Sequence, residues 1–227
     1  MGVTAAVSLE AGHRVGAAGL KLLAEDVPFA HTGYTAAESI VIVVPRGFIS
    51  AAAVPTGMTV GVISDTHDNV PAAEAAMDLF ERAGVETVVH CGDFVAPPLI
   101  PALDREGVSV HAVRGNNDGE REGLLDAFDA LEGGTLHGRF AELTFDGREF
   151  AVIHGEDRPV IDALAASGEY DYVVHGHWHV HETRTVGDTV VLNPGAHFPT
   201  VPEEHRTVAV VDTETDTVEF HPVGPDA

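Results

Sequence analysis

The sequence predicts an α/β fold on three observations. From Thr59 onward, short β-branched runs alternate with segments of helical period; several of the apolar runs stop abruptly at Gly, Asp or His; and the second half reads mainly as strands separated by turn residues. Strands are expected at 59–64, 86–90 and 108–113. Between the first two, residues 71–83 place Ala75, Ala76, Leu79, Phe80 and Ala83 on one helical face, and 98–106 offer a shorter helix after the second. A helical stretch at 120–131 leads into a hairpin, 140–145 against 148–153, whose Asp146-Gly147 link suits positive φ. Further strands are expected at 170–175, 183–186, 189–192, 207–211 and 218–220.

Charge divides the 227 residues unevenly. The first 57 carry three basic and four acidic side chains, the remainder nine against 32. A domain and its own extension rarely differ so much. The expectation is a domain at 58–227, with residues 1–57 an extension that is either poorly ordered or encoded upstream of a natural start at Met58. The acidic excess, with Lys21 the single lysine, repels nucleic acid and anionic membrane. It also suits concentrated salt, where net charge keeps a protein soluble and is screened over a few ångströms. One cysteine, Cys91, excludes an internal disulfide and fits a reducing compartment. The longest apolar run, 40–45, falls far short of the roughly 20 residues of a membrane span. A cytoplasmic protein is expected, with no nucleic-acid or membrane partner and an open oligomeric state.

Five strand ends carry the chemistry. The run Val62-Ile63-Ser64 ends in Asp65-Thr66-His67, Val88-Val89-His90-Cys91 in Gly92-Asp93, and Val113-Arg114 in Gly115-Asn116-Asn117-Asp118; Ala151-Val152-Ile153 ends in His154-Gly155, and Val173-Val174-His175 in Gly176-His177-Trp178-His179. Side chains at the carboxyl ends of strands are held rigidly and face the crevice where open α/β sheets bind ligands. Any one of these segments could be an ordinary turn or cap. Together they offer Asp65, His67, Asp93, Asn116, His154, His177 and His179, a set that suits two adjacent divalent cations if Asp93 bridges them. Imidazole, carboxylate and amide donors without thiolate favour Mn²⁺, Fe²⁺, Co²⁺, Ni²⁺ or Zn²⁺; the hard amide oxygen tilts the choice toward Mn²⁺. Trp178 is read as a structural lid, Cys91 as a buried small residue, and His13, His31, His137, His205 and His221 as surface or structural residues.

At these residues the chain resembles the calcineurin-like metallophosphoesterases, and within them the small capless phosphodiesterases of bacteria and archaea, over roughly residues 58–220. The family's order of Asp-x-His, Gly-Asp, Gly-Asn-x-Asp, His-Gly and Gly-His-x-His is matched throughout. The resemblance implies a four-layer αββα sandwich of two mixed β-sheets flanked by helices. It also implies one ion on Asp65, His67, Asp93 and His179, and another on Asp93, Asn116, His154 and His177. Asp93, Asn116 and Asp118 are expected to carry the chemistry, Asp118 by orienting a neighbouring ligand. The implied reaction is hydrolysis of a small phosphate ester, a diester before a monoester, by hydroxide held between two cations. Two departures stand out. Ala196 follows Asn193-Pro194-Gly195 where the branch has serine, and Asn117 stands where many members carry a histidine that could protonate the leaving group, leaving water, His181 or His197 as candidates. The alternative is a scaffold that keeps the fold without activity, as in the retromer subunit that the family resembles; filled ligand positions argue against it. Because imidazole binds metal only when neutral, occupancy and activity are expected to fall together below about pH 6.

Overall fold

The computed structural model describes residues 57–224, so the reading of 1–57 as an extension lies outside the described residues apart from Gly57. The first part of the described chain runs β1 (Thr59–Ile63), α1 (Val70–Arg82), β2 (Thr87–His90), a 3₁₀ segment (Pro97–Leu103), β3 (Ser109–Ala112), α2 (Arg121–Asp129) and β4 (Gly134–Leu136). The second runs β5 (Phe140–Phe145), β6 (Arg148–Ile153), α3 (Arg158–Ser167), β7 (Tyr172–Val174), β8 (Glu182–Val186), β9 (Thr189–Asn193), a short 3₁₀ turn (Glu203–His205), β10 (Thr207–Asp212) and β11 (Thr217–Pro222).

These strands form two mixed sheets. One has the order β11-β10-β1-β2-β3-β4, with β1 to β4 parallel to one another and β10 antiparallel to both β1 and β11. The other has the order β5-β6-β7-β9-β8, with β6, β7 and β9 parallel and β5 and β8 antiparallel at the edges.

Period-two alternation decides which face each side chain serves. Val60 and Val62 of β1 meet Phe150, Val152, Tyr172 and Val174 of the other sheet in the central core. Ile63 faces the opposite way, into a core shared with Met77 and Phe80 of α1, Leu99 and Leu103 of the 3₁₀ segment, and Leu124 and Phe128 of α2. A third core joins Ala151, Val173 and Val191 to Ile161 and Ala165 of α3. Three cores between four layers are the expected αββα sandwich. Gly61 lets the helix layer close, because a Cβ there would stand 2.8 Å from the Phe80 ring. Among the described residues no helix is long and apolar enough to cross a membrane.

Three elements differ from the expectations. Residues 98–106 do not make an α-helix: Pro97, Pro98 and Pro101 withdraw the N–H donors of an i→i−4 ladder, and the chain takes the tighter 3₁₀ form. Helix α3 was not anticipated, since only Ile161 and Ala165 of its ten residues are buried, too narrow a stripe to read as a period. Strand β4, three residues beginning at a glycine with none fully buried, carries no strand-like pattern either.

Candidate metal centre

Parallel strands β1, β2, β3, β6 and β7 deliver their carboxyl ends to one edge of the sandwich, and the loops that follow them interlock. Asp65, His67 and Asp68 donate their backbone N–H groups to the carbonyls of Gly92, Asp93 and Phe94 at 3.0, 3.1 and 2.9 Å, extending the β1–β2 pairing past both strand ends. The Asp118 carboxylate ties the third loop to the second. It accepts from the backbone N–H of Asp93 (2.9 Å), Gly115 (2.7 Å) and Val95 (2.8 Å), so one buried side chain satisfies three donors. Asp65, His67, Asp68, Asp93, Val95, His177 and His179 all adopt positive φ, between 43° and 81°. A left-handed conformation costs a non-glycine residue of order 1 kcal/mol. Its concentration in these loops shows that the surrounding contacts dictate where the side chains point.

The glycines of the motifs are required by close approach. A Cβ on Gly92 would come 2.5 Å from the Gly115 nitrogen, one on Gly115 would overlap the Asp93 carboxylate, and one on Gly176 would overlap Ser64 Oγ and Asp65 Oδ2. Gly176→Ala is therefore expected to destabilise the protein by about 1–3 kcal/mol through overpacking and to dislodge the Asp65 carboxylate. Thermal melting together with the metal content of the purified variant checks both effects; a variant that melts and loads like the unaltered chain would contradict them.

Five of the seven expected ligands converge. His179 Nε2 and His67 Nε2 lie 3.2 and 3.8 Å from Asp65 Oδ1, while His67 Nε2 and His154 Nε2 lie 3.5 and 3.3 Å from Asp93 Oδ2. Two compact groups result, Asp65 with His67 and His179, and Asp65 with Asp93 and His154. In Asp65 and His154 the other atom is already committed. Asp65 Oδ2 accepts from Ser64 Oγ (2.6 Å) and from the His177 backbone N–H (2.9 Å). His154 Nδ1 lies 2.8 Å from the Cys91 carbonyl, which can only accept, so Nδ1 carries the proton and Nε2 presents its lone pair. Asp65 Oδ1, His67 Nε2 and His154 Nε2 are buried without a hydrogen-bond partner, an arrangement that is costly unless a cation completes it. The residues present fit divalent metal.

The remaining two expected ligands stand differently. The His177 ring meets His154 edge-on, 5.2 Å between centroids, and burial lowers its pKa, so it is a neutral imidazole beside the cluster. The Asn116 side chain is exposed. Its neighbour Asn117 engages Asp93 instead, through its backbone N–H to Oδ1 (2.9 Å) and its side-chain Nδ2 to Oδ2 (2.7 Å).

Electrostatics follow from this packing. Burial opposes charge on Asp65 and Asp93, but His179 and His67 around the first, and His154 and His67 around the second, outweigh it and hold both carboxyls well below the usual range. In return Asp65 and Asp93 push His67 up to about 9. His154 also rises, its burial overcome by Asp93 and Asp65. His197 is buried, which pushes it down to about 4; it is neutral at physiological pH and unsuited to protonating a leaving group. His181 pairs with His205 at 3.0 Å between Nδ1 atoms. Trp178 donates Nε1–H to the Gly155 carbonyl (3.0 Å) beneath the Arg158 guanidinium, as a structural lid would. Burial raises the Cys91 thiol, leaving no nucleophile there.

Sequence reasoning gave no role to His90. Its Nδ1 accepts the Gly92 N–H (3.1 Å), so Nε2 carries the proton and donates to Thr66 Oγ1 (3.2 Å), bolting the first ligand loop to the second. Asn193 does the same for the last loop, donating Nδ2–H to the Gly176 carbonyl at 2.9 Å. The available signal was a polar residue closing an apolar strand one or two positions before a motif glycine.

Comparison with known proteins agrees with this geometry. Residues 58–216 match the family model for the calcineurin-like phosphoesterase superfamily domain. Phosphodiesterase MJ0936 of Methanocaldococcus jannaschii is 34% identical over 160 residues, which cover 69% of this chain and 94% of that protein. Phosphodiesterase YfcE of Escherichia coli K12 is 26% identical over 146 residues, covering 59% of this chain and 76% of that one. The solved structure of a novel archaeal phosphodiesterase superposes with a TM-score of 0.64 at 33% identity, over 73% of this chain and 100% of the other.

Proposed function

Since the chain belongs to the calcineurin-like phosphoesterase superfamily, we propose that it is a phosphodiesterase that hydrolyses a small phosphate ester with the help of two divalent metal ions, manganese before nickel, cobalt, iron or zinc. The observation that carries this reading is the convergence of Asp65, His67, Asp93, His154 and His179, with three of their buried ligand atoms lacking a hydrogen-bond partner. Asp93 is the candidate for the shared ligand, because one oxygen, Oδ2, lies within 3.5 Å of imidazoles from both sides of the cluster. His67 and His179 would complete one ion's set with Asp65, and His154, His177 and Asn116 the other's. Ions held there would acidify a water and neutralise phosphate oxygens.

The chain's own groups hold the arrangement. Asp118 fixes the loop that carries Asp93, Asn117 orients the Asp93 carboxylate, and the Cys91 carbonyl sets the His154 tautomer. No ionisable side chain occupies position 117, so the reading favours esters whose alcohol leaves readily or is protonated by solvent. Hydrolysis of bis(4-nitrophenyl) phosphate in concentrated salt tests the proposal. Chelation is expected to reduce the rate at least about a hundredfold, several kcal/mol of lost charge stabilisation, and Mn²⁺ to restore it. A metal-free chain as fast as the loaded one would overturn the mechanism. A chain that binds metal and hydrolyses no ester would favour the scaffold instead.

A further inference from the structure

We infer that a groove beside the metal centre receives the organic substituent of the ester and favours a largely apolar one; this rests on the phosphodiesterase reading above. The groove has a volume of about 530 Å³ and runs between the first turns of α1, the loop at 197–199 and the end of β11. It shares a wall with the ligand cluster. The Phe198 ring lies 4.5 Å from the His67 ring and 4.7 Å from that of His179, between centroids, and also lines the groove. An ester whose phosphate sits at His67 and His179 therefore has its substituent within reach of this space.

The chemistry of the walls defines the substituent. Pro71, Ala72 and Ala75 on α1, with Val223 and Phe198, offer carbon, and the small side chains on the helix leave the room. Arg206, the one cation in the lining among the described residues, donates Nε–H to the Val201 carbonyl (2.9 Å) and Nη2–H to that of Pro199 (2.8 Å). Asn69 is committed as well, its Nδ2 to the His197 carbonyl and its Oδ1 to the Ala72 N–H. Among the described residues the rest of the lining carries no lysine or carboxylate, and the two bonds to carbonyls hold the Arg206 guanidinium against the loop at 199–201. His197 also lines the groove, but both of its ring nitrogens are buried.

The test measures binding of phosphonates, which resist hydrolysis, to the metal-loaded full chain by calorimetry, alongside diester hydrolysis. Phenylphosphonate is expected to bind at least about tenfold more tightly than methylphosphonate from ring burial. Ala75→Trp, which fills the groove, and Ala72→Glu, which places a charge in it, are both expected to bring the phenyl advantage below about twofold while methylphosphonate binding stays unchanged. Equal binding of the phenyl and methyl compounds to the unaltered chain, whether or not another part of the chain fills the groove, overturns the inference, as does a phenyl preference that survives both substitutions. In either case continued diester hydrolysis leaves the phosphodiesterase reading intact; loss of all diester hydrolysis in the unaltered chain overturns both.

Discussion

Asp93→Ala is expected to lower phosphodiester hydrolysis by about a thousandfold or more and to leave the protein short of metal. The size follows from its position. Among the described residues, Asp93 Oδ2 is the one carboxylate oxygen within 3.5 Å of imidazoles belonging to two different strand ends, His67 after β1 and His154 after β6. Removing it takes a ligand from each proposed ion together with the anchor of Asn117. A metal ion supplies several kcal/mol of charge stabilisation in hydrolysis, and at about 1.4 kcal/mol per tenfold a loss of about 4 kcal/mol is a thousandfold. His179→Ala serves as the comparison. Its side chain is 37% exposed and its Nε2 pairs with Asp65, so a smaller loss is expected. Elemental analysis and kcat on the same preparations decide the matter: an Asp93→Ala protein that keeps two ions and most of its rate would refute the shared-ligand assignment.

What the sequence made legible follows from how locally each feature is determined. Strands β1, β2 and β6, which precede Asp65, Asp93 and His154, are largely buried, and a polar residue within a few positions of such a strand's carboxyl end faces the crevice, so these three could be placed. The motif glycines were legible too, although their cause, contact between loops far apart in the chain, appears only in three dimensions. The contact of Asn117 with Asp93 was not legible. Two adjacent amides in one turn look alike in sequence, and which one meets Asp93 depends on a loop geometry fixed by Asp118. His90 was missed because its partners, Thr66 and Gly92, give it meaning only as a connection between two loops. Helix α3 was missed because its apolar stripe is two residues wide.

The second large effect concerns pH, and here the structure moves the expectation. An ordinary imidazole would place the loss of metal below about pH 6. In the metal-free chain, however, His67 lies between Asp65 and Asp93 and is raised from 6.5 to about 9, and His154 is raised as well. Metal and proton compete for the same nitrogen. Apparent metal affinity is therefore expected to climb by about one logarithmic unit per pH unit for each proton displaced, through the interval from about 6.5 to 9. Stability of the metal-free chain should run the opposite way. A group raised on folding contributes fully below its unfolded value and loses that contribution as pH rises through its folded value, so the His67 contribution is present below about 6.5 and lost on approach to 9. The carboxylates do not obscure this window, since Asp65 and Asp93 are depressed on folding and lose their contribution only in strong acid. His177, lowered by burial, is neutral throughout it. Melting curves of chelated and Mn²⁺-loaded protein across this range should therefore diverge, the chelated form weakening with rising pH while the loaded form holds. Parallel curves, or a metal affinity indifferent to pH, would mean that no proton sits where the ion is proposed to bind.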